Sequence, residues 1–202
     1  MSIFNYTAIK DSVNYSAFLP GQKGSHYDPN TVIVAAIAED TIEFGSVVNV
    51  HPDADDQGIG CRYAKPIVAN ATIDKLTGIA LADVKGQNVL ITRQAHQFIN
   101  SYAKGQSVSV MKKGFVWVPV QSSGTINAGG TVYVRVKASS TNASLPIGGI
   151  ETAADSTNTI AWTGVKFTGE SGFPLSGTND GTTVAGGLTG KTAEIHLDLD
   201  LI

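Results

Sequence analysis

Apolar and polar positions alternate with a period of two through the middle of the chain, between Gly105 and Val136. Short glycine-bearing segments, of which Lys112-Lys113-Gly114 is the first, divide this stretch into runs. The alternation and the glycines predict an antiparallel meander of three strands. Pro119 cannot donate a ladder hydrogen bond, so its strand is predicted to be an edge strand or to bulge there. The three runs are Val108 to Met111, Phe115 to Val120, and Val132 to Val136.

The two faces of these runs carry different side chains. Val116 and the other valines of the second run lie opposite Phe115 and Trp117, and the valines of the third run lie opposite Arg135. Trp117 is predicted to be buried, and Trp162, which also falls in an alternating pattern, is interpreted as a core residue.

Further strands are predicted on both sides of the central stretch. By periodicity, the apolar run Val32 to Ala38 could be a helix or a strand, and its β-branched start and seven residues favour a buried strand. Helical spacing appears only in residues 92–102, where Ala95, Phe98, Ile99 and Tyr102 predict one short helix. Ile160 to Phe167 is interpreted as a strand broken at Gly164. In the last run Ile195, Leu197, Leu199 and Leu201 alternate with His196, Asp198 and Asp200.

Together these patterns predict an all-β fold, either an antiparallel barrel or a jelly-roll-like sandwich, with one short helix and loop-rich C-terminal insertions. Residues 1–20 carry aromatic residues without a clean period and are assigned to an N-terminal arm. Residues 21–202 are assigned to a single β domain, in which 138–190 is a loop-rich insertion and 191–202 is the closing strand.

Composition excludes several functional classes. Charged residues make up 15% of the chain, well below the usual share of about a quarter. The net charge of −3 and the lack of a basic patch argue against a nucleic-acid partner. The N-terminus lacks the basic start and apolar core of a signal peptide, so none is predicted. The sequence contains no run of 18 apolar residues, so no membrane span is predicted. The single cysteine, Cys61, rules out an internal disulfide framework and is interpreted as a small buried hydrophobe.

No constellation of residues points to catalysis. The four histidines lack metal-ligand spacing, and neither a nucleophile elbow nor a P-loop is present. Asp198 and Asp200 would lie about 7 Å apart on one strand face, a separation that could serve a glycosidase, but nothing else builds a sugar cleft. The sequence therefore predicts no enzyme, no catalytic residues and no cofactor. The histidines are His26, His51, His96 and His196.

The acidic loop between His51 and Gly60 matches the start of a calcium-binding pattern at Asp53, Asp55 and Gly58. Ala64 stands at the twelfth position, where a bidentate glutamate is required. A solvated acidic turn is therefore the better interpretation, and no metal site is predicted.

The order of several segments resembles the structural cement, or capsid decoration, proteins of tailed bacteriophages. The resemblance covers roughly residues 17–137 and the last strand, and the sequence departs from the family pattern at 87–103, at 138–190 and in the N-terminal arm. The similar segments are Ala38 to Val48, Leu76 to Leu81, Lys104 to Val110, Lys112 to Val118, Ala128 to Val134 and Thr192 to Leu197.

The resemblance implies a non-enzymatic virion protein that binds the assembled capsid shell and stabilises contacts between major capsid protein subunits. It implies a homo-oligomer, a dimer or trimer, on the capsid exterior, made in the host cytoplasm, with no nucleic acid or membrane partner. The alternatives are another virion β protein, such as a tail-tube or head-fibre component, and a carbohydrate-binding module.

Irregular segments that carry aromatic residues can order on a partner's surface. Phe4 and Tyr6 in the arm, and Phe173 and Leu175 in the insertion, are therefore the predicted partner-binding residues. The competing interpretation is that Phe4 and Tyr6 pack against their own barrel.

Overall fold

A computed structural model describes residues 21–24, 26, 28–52, 62–82, 101–121, 124–138, 145–174 and 191–199. In these residues the chain forms eleven β-strands and one three-residue 3-10 turn, Ile73–Lys75, so the all-β prediction is confirmed. The strands are β1 Val32–Ala38, β2 Ile42–Glu43, β3 Val47–Pro52, β4 Arg62–Pro66, β5 Gly78–Ala80, β6 Ser101–Tyr102, β7 Ser107–Val120, β8 Thr131–Arg135, β9 Ile150–Glu151, β10 Thr159–Pro174 and β11 Lys191–Asp198.

Strand pairing closes into two circuits that share β7. The first barrel runs β7-β1-β4-β3-β5 and back to β7, and the second runs β7-β11-β10-β8-β9 and back to β7. Most pairs are antiparallel, and β1–β4 and β7–β9 are parallel. A closed circuit pairs its strands on both sides, which explains how so many short strands form one stable unit. The barrel alternative is therefore the correct one.

The long strand β7 passes from one barrel to the other at Lys113. Its first half pairs with β1, ending at Val32 opposite Lys113, and its second half pairs with β11, beginning at Asp198 opposite Lys113. The next residue, Gly114, has φ 125°, a conformation that L side chains rarely adopt. The lysine-glycine segment thus bends one continuous strand and does not end it. The predicted meander is wrong, because its first two strands are one continuous strand and β7 does not pair with β8.

The edge prediction for Pro119 is also wrong. Pro119 lies opposite Thr192 in an uninterrupted β7–β11 register, in a strand that has neighbours on both sides. On the other side of β7, the backbone amide of Trp117 donates to the Gln22 carbonyl, and the backbone amide of Gln121 donates to the Ile150 carbonyl. Alternation along the strand turns the Pro119 nitrogen to that same side, between the two contacts.

The interior of the first barrel is filled by small side chains because five strands enclose little space. Tyr102 of β6 and Ile42 of β2 are also buried in this cluster, and the Tyr102 hydroxyl donates to the Leu81 carbonyl (2.6 Å). The interior residues contributed by the barrel strands are Ala36, Ala38, Val48, Ala64, Ala80, Val108 and Val110.

The second barrel has larger core residues and extends the apolar cluster to the 3-10 turn. The Trp162 indole is buried and donates to the Leu76 carbonyl (3.1 Å), which confirms its assignment to the core. The alternation predicted for the last strand is confirmed at Ile195 and Leu197, whereas Asp200 and Leu201 lie outside the described residues. The core side chains of this barrel are Val116, Val118, Val120, Val132, Val134, Ile150, Trp162, Val165, Phe167, Ala193, Ile195 and Leu197.

Two other segments differ from the prediction or extend it. Ser101–Tyr102 is a strand, so the helix predicted up to Tyr102 is wrong at these two residues. The other residues of that prediction, Ala95, Phe98 and Ile99, lie outside the described residues. The predicted strand around Gly164 shifts register between Ala161 and Lys166 and then continues to Pro174. Region 138–190 therefore supplies two strands of the second barrel, β9 and β10.

Candidate functional site

The side chains of the four residues predicted to bind a partner lie outside the described part of the structure. Phe4, Tyr6 and Leu175 lie outside the described residues. Phe173 belongs to β10, and only its backbone is described. Their role therefore stays a prediction, and the described surface has to be searched for other contact sites.

The segment that follows residues 1–20 is fixed to β7. The Gly21 amide donates to the Trp117 carbonyl (2.7 Å), the Trp117 amide donates to Gln22, and the Gly24 amide donates to the Phe115 carbonyl (2.7 Å). Gly21 has φ 78°, and a Cβ there would lie 2.6 Å from the Ala82 nitrogen. Glycine is thus required for this close approach. Trp117 is buried as predicted, on the face opposite Val116.

Two imidazole–carboxylate pairs hold the same segment against β11. His26 Nδ1 lies 2.5 Å from Glu194 Oε2, and His196 Nε2 lies 3.4 Å from Asp28 Oδ2. The Phe115 ring lies between the two imidazoles, with centroid distances of 5.2 Å to His26 and 4.4 Å to His196. Each pair joins residues 168 positions apart, so no local pattern could indicate it.

This cluster is built to hold a segment in place. The Glu194 side chain is fully buried beneath His26, so its carboxylate is not presented to a substrate. The Asp28 side chain is mostly buried as well. Each residue thus ties the segment to the barrel.

An exposed apolar loop lies between β4 and β5. Val68 is 62% exposed and Ile73 is 44% exposed, whereas their neighbours Ala71 and Leu76 are buried. The Asn70 amide donates to the Val136 carbonyl (2.8 Å), which fixes the middle of the loop to the second barrel. The Val68–Ile73 loop therefore presents apolar side chains from a rigid support. An apolar surface of this kind suits contact with another protein.

A buried ion-pair network lies at β8 and β9. Arg135 is 1% exposed, its Nε donates to Glu151 Oε1 (2.6 Å), and its Nη2 donates to Asp155 Oδ2 (2.8 Å). The side-chain amide of Gln121 donates through Nε2 to the same Glu151 oxygen (2.9 Å). Alternation places Arg135 opposite the core valines, as predicted, but gave no sign of its burial. The Arg135 and Glu151 side chains are thus inaccessible to a partner, and Asp155 is partly exposed.

Other predicted chemistry finds no support in the described residues. No group of three or more metal-ligating side chains occurs among them. His51 pairs with Glu39 (3.0 Å), and Asp198 pairs with Lys113 (2.7 Å), which lowers the pKa of Asp198. The calcium-like loop, with Asp53, Asp55 and Gly58, lies outside the described part of the chain, as do Cys61 and His96. No helix in the described ranges is long and apolar enough to cross a membrane.

Comparison with known proteins finds a family model and chains of solved structures that match. Residues 9–197 match the model of a family described as "Structural cement protein (E217 gp24/Pam3 gp6)". A chain of the solved structure "The capsid of Myoviridae Phage XM1" is similar, with a TM-score of 0.55, 15% identity and coverage of 88% of both chains. At that identity the likeness concerns the fold alone. No curated protein matches the chain.

Proposed function

The chain belongs to the structural cement protein family, and from this premise we propose that it binds the assembled capsid shell and stabilises contacts between major capsid protein subunits. The observation that carries the proposal is the family match across residues 9–197, which includes every strand of both barrels except the last residue of β11. The role of the chain is structural and capsid-associated. We extend this to a position on the capsid exterior, to synthesis in the host cytoplasm, and to a dimer or trimer.

The described architecture suits a protein that stabilises a capsid shell. Closed strand circuits leave few unpaired edges, which limits sheet-to-sheet aggregation when many copies crowd one particle. The buried Arg135 network and the two apolar clusters stabilise the fold without a disulfide. Added interface area between shell subunits slows their separation, because that area must be exposed again before the shell opens.

We propose two kinds of contact with the shell. The first is the predicted arm, residues 1–20 with Phe4 and Tyr6, which leads directly into the segment anchored at Gly21, together with Phe173 and Leu175. The second is the Val68–Ile73 loop. In this proposal residues 21–202 form one β domain with 138–190 as its insertion, and no part of the chain is an enzyme.

The alternative functions have less support. Carbohydrate-binding modules stack sugars on exposed aromatic rings, and both Trp117 and Trp162 are buried. A tail-tube role would be supported by a long amphipathic hairpin that lines a tube. The longest described strands, β7 and β10, are instead part of the barrel walls.

Binding to shells that lack this protein tests the proposal. Purified protein should co-sediment with such shells, raise their opening temperature, and appear in electron-microscopic reconstructions on the outer surface at subunit junctions. No co-sedimentation, or density confined to the tail, would contradict the proposal.

Two variants separate the proposed contacts. Deletion of residues 2–12 should weaken shell binding and leave the melting temperature unchanged. A lower melting temperature with intact binding would mean that the arm is part of the fold. Val68→Ser is expected to weaken binding more than Ile33→Ser, a matched change at another exposed apolar position.

A further inference from the structure

Residues 21–28, the anchored segment, lie along the outer wall of the second barrel. The wall itself is complete without them, because β7 and β11 pair in an unbroken register and neither strand circuit includes the segment. The segment adds one isolated bridge between Lys23 and Val116 and backbone hydrogen bonds from Gly21 and Gly24 to β7. Its firm attachment therefore needs a reason other than closure of the barrel.

Glu194 is a buried carboxylate on the outer face of this wall. Alternation along β11 turns Ala193 and Ile195 into the core and Glu194 away from it, yet the Glu194 side chain is fully buried. The anchored segment is part of its cover. The His26 backbone amide donates to Oε1 (3.4 Å), His26 Nδ1 lies 2.5 Å from Oε2, and a Cβ on Gly24 would overlap Oε1. Burying a carboxylate costs free energy, and here the core gains nothing from it.

A second pair fixes the segment two residues further on. Asp28 Oδ2 lies 3.4 Å from His196 Nε2, and the Phe115 ring packs between this imidazole and that of His26. A buried ion pair is weak evidence for stability, and its best-attested use is to select one register or arrangement. The two pairs, His26–Glu194 and His196–Asp28, form a clamp that fixes the direction of the segment as well as its position.

We propose that this clamp positions the N-terminal arm, residues 1–20, for its contact with the capsid shell. This inference rests on the proposed function and names how one of its contacts is prepared. Gly21, the first residue after the arm, has φ 78°, and its amide donates to the Trp117 carbonyl (2.7 Å), so a closed clamp gives the arm one starting point. A molecule with an open clamp has to close it before the arm binds, and the apparent affinity falls in proportion to the closed fraction.

Hydrogen exchange measures whether the clamp is closed. His26→Ala combined with Asp28→Asn, the clamp variant, removes one partner of each pair, and the new asparagine can still accept from the Asn30 amide as Asp28 does (2.8 Å). The Gly24 amide should lose nearly all its protection, because a stranded buried carboxylate favours the open segment. The amides of β11 should keep theirs. Full protection at Gly24 in the variant would show that the pairs do not hold the segment, and the proposal would be wrong.

The first barrel offers a matched control. His51 Nε2 lies 3.0 Å from Glu39 Oε2, so His51→Ala removes the imidazole from a pair of the same kind outside the anchored segment. This change should leave both the protection of Gly24 and the affinity for shells unchanged. If it weakened shell binding as much as the clamp variant does, the effect would not be specific to the clamp, contrary to the proposal.

Shell binding in a double-mutant cycle shows whether the clamp acts through the arm. In the full chain the clamp variant should bind at least about threefold more weakly, by the same factor by which hydrogen exchange shows the closed fraction to fall. In a chain that lacks residues 2–12, and with them the arm contact, the same substitutions should have no further effect. An equal loss in both chains would mean that the clamp does not act through the arm, and would overturn the proposal.

The same cycle separates this inference from the proposed function. If the wild type does not bind shells, the capsid role is wrong and the inference fails with it. If the wild type binds and the deletion weakens binding, but the clamp variant binds like the wild type, the capsid role stands and the inference alone is wrong.

Discussion

Removing the cation of the buried Arg135 network should be among the most damaging single changes in the chain. Arg135→Met keeps a long side chain but leaves Glu151, which is 7% exposed, without its positive partner. Breaking a buried pair in this way typically costs about 3–5 kcal/mol, because an uncompensated charge stays in a poorly solvated site. For a chain of this size that loss corresponds to roughly 6–20 °C in melting temperature.

A double variant tests the physical reason. In Arg135→Met combined with Glu151→Gln the buried carboxylate of Glu151 is also removed, Asp155 keeps a charge that is partly exposed, and the glutamine oxygen can still accept from Gln121. We expect the double variant to recover at least half of the stability lost by Arg135→Met, a coupling that a double-mutant cycle isolates. Urea unfolding by two probes gives the free energies and checks two-state behaviour.

The exposed pair of Asp74 and Lys75 provides the matched control. Both side chains are more than half exposed, so Lys75→Met should cost less than about 1 kcal/mol. If Arg135→Met costs no more than this control, the buried-charge argument is refuted. If the double variant is less stable than Arg135→Met alone, the loss comes from side-chain packing and not from the stranded carboxylate.

Three further predictions concern the barrels. Trp117→Ala should lower the free energy of unfolding by about 3–5 kcal/mol, and a loss below about 1 kcal/mol would mean that the ring is not packed. Gly114→Ala should cost more than about 1 kcal/mol in urea unfolding, because φ is 125° and the new Cβ would lie 3.1 Å from Thr31 Oγ1; an unchanged midpoint would contradict the bend at this residue. Burial raises the pKa of the Glu43 carboxyl above its value in the unfolded chain, because burial penalises the charged form. The folded protein therefore loses stability as pH rises through the folded-state pKa of Glu43. Glu43→Gln should therefore melt higher than the wild type at pH 7, with an advantage that disappears below about pH 4; a pH-independent difference would contradict this assignment.

The candidate contact surface was predicted only in part. The irregular aromatic segments were visible in the sequence, but no pattern in Ile67 to Ile73 marks the Val68–Ile73 loop as an exposed apolar surface. Periodicity does not reveal that Ala71 turns inward while Val68 and Ile73 point to solvent. The contact of His26 and His196 with Phe115 depends on strand order, which local pattern does not encode.

The sequence by itself determined the fold class and several of the core residues. Alternation marks which side chains share a strand face, and that face is buried wherever the strand pairs, so Trp117, Trp162, Ile195 and Leu197 were assigned correctly. Only the tertiary structure decided that Gly114 bends a strand shared by two barrels. A glycine with positive φ serves a turn and a bend equally well. The choice between them depends on whether partners exist to pair the next residues, and those partners, β1 and β11, come from opposite ends of the chain.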